Sequence, residues 1–85
     1  MNLLTIEQTR KSEDPRRALA ARFGLTRAEA RAALRIANGE TAKEIAEDLA
    51  LSLVTVRNQI KSAMSKVGAH RQVDLALTVL KTLKS

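Results

Sequence analysis

Cysteine, tryptophan and tyrosine are all absent from this chain, and a single aromatic residue, Phe23, stands among its 85 positions. Without cysteine, neither a disulfide framework nor a cysteine-based zinc site can stabilise a small fold, and a reducing, cytoplasmic setting is expected. Strands draw on aromatic and β-branched side chains, whereas this apolar complement, mostly Ala, Leu, Ile and Val, suits thin helices packed closely. No apolar run approaches the roughly 20 residues that span a bilayer, and the N-terminus has no secretory pattern, so no membrane contact is expected. A chain this short buries only roughly 60–65% of the surface that its unfolded form exposes, which implies one domain with a small core.

What the chain does have is positive charge, with a formal net value of +6. From residue 52 to residue 85 it carries six Lys/Arg and one acid, Asp74, while residues 39–51 carry Glu40, Glu44, Glu47 and Asp48 against Lys43 alone. Positive charge is therefore expected to gather in the C-terminal half, as a polyanion-binding surface requires.

Capping chemistry divides the chain into segments. Residues 1–13 show no clear period and are expected to form an N-terminal arm, followed by a single helical domain over 14–85. Asp14, with Pro15 at the first helical position and Gly24 as the stop, predicts a helix over 15–23. Thr26 and Glu29 have the capping-box spacing, and their helix runs to Asn38 and Gly39 with Ala30, Ala33, Leu34 and Ala37 inward. Thr41 and Glu44 repeat the box before a short helix that turns Ala42, Ile45, Ala46 and Leu49 inward and ends near Ala50. Ser52 caps the next helix, over 53–67, with Leu51 closing on Val56 as a hydrophobic staple and with Val56, Ile60, Ala63, Met64 and Val67 buried. After Gly68 a last helix, over 71–83, is expected to place Val73, Ala76, Leu77 and Leu80 toward the core.

Two helices joined by Ala50, Leu51 and Ser52 have helix-turn-helix spacing. The buried stripe of the second leaves Thr55, Arg57, Asn58, Lys61 and Ser65 outside, with Arg57, Asn58 and Lys61 on one face. Arginine can bond guanine O6 and N7 in parallel, asparagine can do the same on adenine, and a lysine reaches guanine or phosphate. Thr41, Lys43 and Thr55, with the free N–H groups at the helix starts, are candidates for contacts to the DNA backbone.

The motifs Leu25-Thr26 and Glu29, Ala37-Asn38-Gly39, Lys43-Glu44-Ile45-Ala46, Leu49, Ser52, Thr55-Val56-Arg57, Lys66-Val67-Gly68 and Arg71 follow one another without gaps. Over residues 25–76 the chain resembles the LuxR/FixJ-type helix-turn-helix of bacterial transcription factors. The resemblance implies an all-α fold: a four-helix unit over 25–83 with an additional N-terminal helix or arm. It further implies that the helix over 53–67 enters the major groove and that the last helix often pairs two copies. The base contacts it carries over fall on Arg57, Asn58 and Lys61, and the backbone contacts on Lys43 and Thr55. Ala28 stands where this family usually has Arg, Ala33-Leu34 where Leu-Arg is commoner, and Gln59 where His is frequent. The receiver or ligand-binding domain that most members carry is not found in these 85 residues, so a standalone unit is expected.

In the last helix Leu75 and Val79 lie on a face other than that of Val73, Ala76, Leu77 and Leu80, and are the candidates for a dimer interface. The competing expectation is that the helix over 15–23 covers them within the monomer through Leu19 and Phe23. His70 has no second ligand at a metal-binding spacing, Glu29, Glu44 and Glu47 form no paired-carboxylate cleft, and no glycine-rich loop appears, so neither an enzyme nor a cofactor or metal is expected. The sequence thus points to a DNA-binding transcriptional regulator acting on double-stranded DNA as a homodimer. The alternative is an adaptor or antiactivator that engages RNA polymerase or another regulator.

Overall fold

A computed structural model describes residues 14–84, and among them the chain forms five helices and no strand: α1 Pro15–Phe23, α2 Arg27–Ala37, α3 Ala42–Leu49, α4 Leu53–Val67 and α5 Gln72–Lys84. The arm expected over residues 1–13 lies outside the described residues.

Each of the first four helices starts where a side chain satisfies backbone N–H groups that have no partner within the helix. The Asp14 carboxylate accepts from the Arg16 N–H at 2.9 Å, with Pro15 following the cap. Both capping boxes close: Thr26 Oγ1 accepts from the Glu29 N–H at 3.1 Å while Glu29 Oε1 accepts from the Thr26 N–H at 2.8 Å, and Thr41 and Glu44 repeat both distances. Ser52 Oγ accepts from the Thr55 N–H at 3.0 Å and opens α4.

The middle of the molecule is α2, which packs against all four other helices. Its enclosed residues are small, Ala30, Ala32 and Ala33, so neighbouring backbones approach closely, and Ile36 fills the remaining space near its end. The expected inward set includes Leu34 and Ala37, which are only half-buried, and lacks Ala32 and Ile36. A helix surrounded on several sides buries more than one stripe, so a single-face reading undercounts it. In α3 the expected residues face the core, with Ile45 and Ala46 buried and Ala42 and Leu49 half-buried.

In α5 the expected orientation is reversed, except that Ala76 is half-buried against the core as expected. Leu75 and Val79, the dimer-interface candidates, are 0% and 1% exposed, whereas Val73, Leu77 and Leu80, expected inside, are 52%, 52% and 47% exposed. Leu75 and Val79 share one core with Leu19 of α1, and α1 packs against both α2 and α5. Leu19 and Phe23 thus belong to the cover over this face, Leu19 fully buried and Phe23 half-buried against the core, and no part of Leu75 or Val79 is left for a partner.

Candidate nucleic-acid interface

The turn between α3 and α4 is built on Ala50, which adopts the left-handed conformation at φ 57°, ψ 41°. The chain reverses there, and the Leu51 N–H returns to the Ala46 carbonyl at 2.9 Å. The Leu51 side chain packs on the core that holds Val56, as the staple requires. Helices α3 and α4 are thereby held in helix-turn-helix register and pack on each other.

Two sets of contacts fix α4 in the fold. The first is apolar: Val56, Ile60 and Ala63 are buried, with Met64 and Val67 half-buried beside them. The second is polar and centres on Glu29, which is 8% exposed. One oxygen of its carboxylate accepts from Lys66 Nζ at 2.8 Å as well as from the Thr26 N–H, and the other accepts from Ser62 Oγ at 2.5 Å. The Lys66 ammonium and the Ser62 hydroxyl, together with the backbone N–H, lower the Glu29 pKa from 4.5 to about 2. The capping residue of α2 is thus also the clamp on the last two turns of α4. The sequence predicts only the local, capping role of Glu29. The signal was the spacing of Ser62 and Lys66, four apart and therefore stacked on one side of α4.

On its outer side α4 exposes Val54, Thr55, Arg57, Asn58 and Lys61. Arg57, Asn58 and Lys61 come together as expected and line, with Val54, Ile60, Met64 and Gln72, a groove of about 400 Å³ between α4 and the start of α5. Val54, which the polar pattern of the sequence does not mark, is 67% exposed. It precedes Arg57 by three residues and Lys61 by seven, which puts all of them on one face. The ion pairs formed by Arg16 with Asp14, Arg35 with Glu40 and Asp48, Lys66 with Glu29 and Arg71 with Asp74 do not involve Arg57 or Lys61. Arg35 takes up two of the four acids of the middle segment, Glu40 at 2.6 Å and Asp48 at 2.7 Å.

The remaining candidates lie apart from this groove. Thr41 and Lys43 are exposed at the start of α3, and Thr55 is exposed at the start of α4 with its hydroxyl accepting from Ser52 Oγ at 2.9 Å. Positive charge is also less segregated than the expected gathering in the C-terminal half, since Arg16, Arg17, Arg22 and Arg27 are exposed around α1 and the start of α2. Among the described residues no group of His, Cys, Asp and Glu could hold a metal ion, and no helix is long and apolar enough to cross a membrane.

Residues 24–79 match the family model for bacterial regulatory proteins of the luxR family. The chain belongs to the LuxR family. The match takes in α2, α3, α4 and α5 as far as Val79, so the helix-turn-helix just described is the unit of a DNA-binding regulator family rather than of an enzyme family. Helix α1 precedes the matched region and supplies Leu19 to its core. Comparison with curated proteins and with solved structures gave no match.

Proposed function

We propose that this LuxR-family chain is a sequence-specific transcriptional regulator that inserts α4 into the major groove of double-stranded DNA. The observation that carries the reading is the grouping of Arg57, Asn58 and Lys61 outside a helix whose inner side and C-terminal half are fixed to the rest of the fold. Arg57 then bonds guanine O6 and N7, Asn58 bonds adenine N6 and N7, and Lys61 bonds guanine or a phosphate. Lys43, Thr41 and Thr55 stand at helix starts, where side chains and free N–H groups meet phosphates and set the register of the protein on the duplex. The site of action is then the bacterial cytoplasm.

The regulator works as a twofold dimer on an inverted repeat, paired through Val73, Leu77 and Leu80. These side chains form an exposed stripe at helical spacing on α5, and the core already encloses the opposite side of that helix.

Affinity measurements on duplexes of varied sequence test the DNA reading. Arg57→Ala should cost about 1–3 kcal/mol and relax one base position, while Lys43→Ala should weaken all sequences alike and lower the salt dependence by about one counterion. Unchanged affinity in both variants would sink the assignment. For the dimer, Leu77→Asp should bring the solution mass down to the 9.3 kDa of one chain.

The apolar stripe on α5 also favours a second reading, in which the chain is an adaptor or antiactivator and the stripe seats on RNA polymerase or a larger regulator. Such a protein forms a stoichiometric complex without DNA, whereas a DNA-binder loses affinity steeply with salt.

A further inference from the structure

We infer that Val54 reads the 5-methyl group of a thymine, adding an apolar contact to the bases recognised by Arg57, Asn58 and Lys61; the inference rests on the DNA-binding reading above. Among the described residues Val54 is the most exposed of the large apolar side chains, at 67%, and it stands in the first turn of α4. Its neighbours in the groove are the three polar base-reading candidates, with Ile60 and Met64 forming the apolar floor. The remaining exposed large apolar residues among those described, Val73, Leu77, Leu80 and Leu83, all lie on α5. Val54 is therefore separate from the stripe assigned to pairing, and its side chain is directed at whatever α4 meets.

Within the major groove the thymine methyl is the one apolar group that base edges present, and short apolar side chains are its partners. Val54 and Asn58 are four residues apart on one helix face, about 6 Å along the axis at 1.5 Å per residue. Successive base pairs rise by about 3.4 Å. The thymine should therefore lie within about two base pairs of the base read by Asn58. As a β-branched residue Val54 has few rotamers to lose on contact, so little ordering entropy opposes the interaction.

The test uses the full chain and a pool of random-sequence duplexes, from which bound molecules are selected and a preferred sequence obtained. Each thymine of that duplex is then replaced singly by deoxyuridine, which keeps the pairing and removes only the methyl. One replacement, within about two base pairs of the position whose preference changes in Asn58→Ala, should weaken binding about fourfold, which corresponds to about 0.8 kcal/mol for one buried methyl group. Val54→Ala should bind the thymine and uracil duplexes equally, and Val54→Thr, which retains a methyl, should keep part of the discrimination. Because Val54 is exposed, both variants should show the wild-type melting temperature. Tight, sequence-selective binding that is indifferent to every uracil replacement overturns the inference and leaves the DNA-binding reading standing. Failure to retain any duplex overturns both.

Discussion

Helix α4 turns Val56, Ile60 and Ala63 into the core and leaves Arg57, Asn58 and Lys61 outside, whereas α5 turns Leu75 and Val79 inward and leaves Val73, Leu77 and Leu80 outside. Both helices pack on α2 and on each other, so their inner faces contribute to one core. The outer faces differ in chemistry. A polar, positively charged face stays hydrated until a polyanion displaces its counterions. An apolar face loses ordered water only when another apolar surface covers it. Two long helices of one small domain thus present two kinds of outer surface, one polar and positively charged and one apolar.

The largest expected effect separates the two faces of α5. Leu75→Ala removes a fully enclosed side chain and should cost about 2–5 kcal/mol of folding stability, through lost burial and the cavity left beside Leu19. Leu77→Ala, at a half-exposed position, should cost the monomer less than about 1 kcal/mol. Urea titrations at low protein concentration, where a dimer would be dissociated, measure both values. Equal losses would mean that the inner and outer faces have been exchanged.

A smaller effect tests how α4 is held. In the fold the Glu29 carboxyl titrates at about 2, below its ordinary 4.5, so the unfolded chain binds the proton first and the carboxylate stabilises the fold. That contribution is complete above about pH 4.5 and is lost as pH falls from there toward 2. It amounts to about 2 kcal/mol, discounted because the partner Lys66 ammonium is partly in water. Glu29→Gln should lose it at pH 7, and the difference between the variant and the wild type should shrink as pH falls from 4.5 to 3. A difference that stays constant over that window would show that the clamp adds nothing beyond the capping box. The inner face of α5 is instead apolar, with Leu75 and Val79 enclosed in the shared core.

How much the sequence discloses follows from the same contrast. The helix limits are legible because Asp14, Thr26, Thr41 and Ser52 are caps with a defined hydrogen-bonding geometry, and the structure realises each of them. The inner stripe of α4 is legible because charge marks the other side. In α5 apolar residues occur all around the helix, so periodicity offers two faces, and the choice between them is made by its tertiary partners α2, α4 and α1, which no local pattern encodes. The Glu29 clamp joins residues 33 and 37 positions apart, a separation beyond any helical repeat. Val54 is illegible for the opposite reason: a valine next to an apolar stripe carries no polar mark of the outer face.

The smallest effects concern the turns that feed the two helices. α4 is entered through Ala50 at φ 57° and α5 through Gly68 at φ 80°, both in the left-handed region. A Cβ on Gly68 would meet nothing within 4 Å, so Gly68→Ala should cost only the backbone penalty, about 1 kcal/mol. At Ala50 that penalty is already present in the wild type. Ala50→Gly removes it but gives the unfolded chain more freedom to lose, which leaves a net gain of about 0.5 kcal/mol. Thermal melts of the two single variants should move in opposite directions, down for Gly68→Ala and up for Ala50→Gly. A fall in both would mean that the methyl group of Ala50 makes a contact worth more than its strain, and that the turn into α4 is fixed by packing while the turn into α5 is fixed by backbone conformation alone.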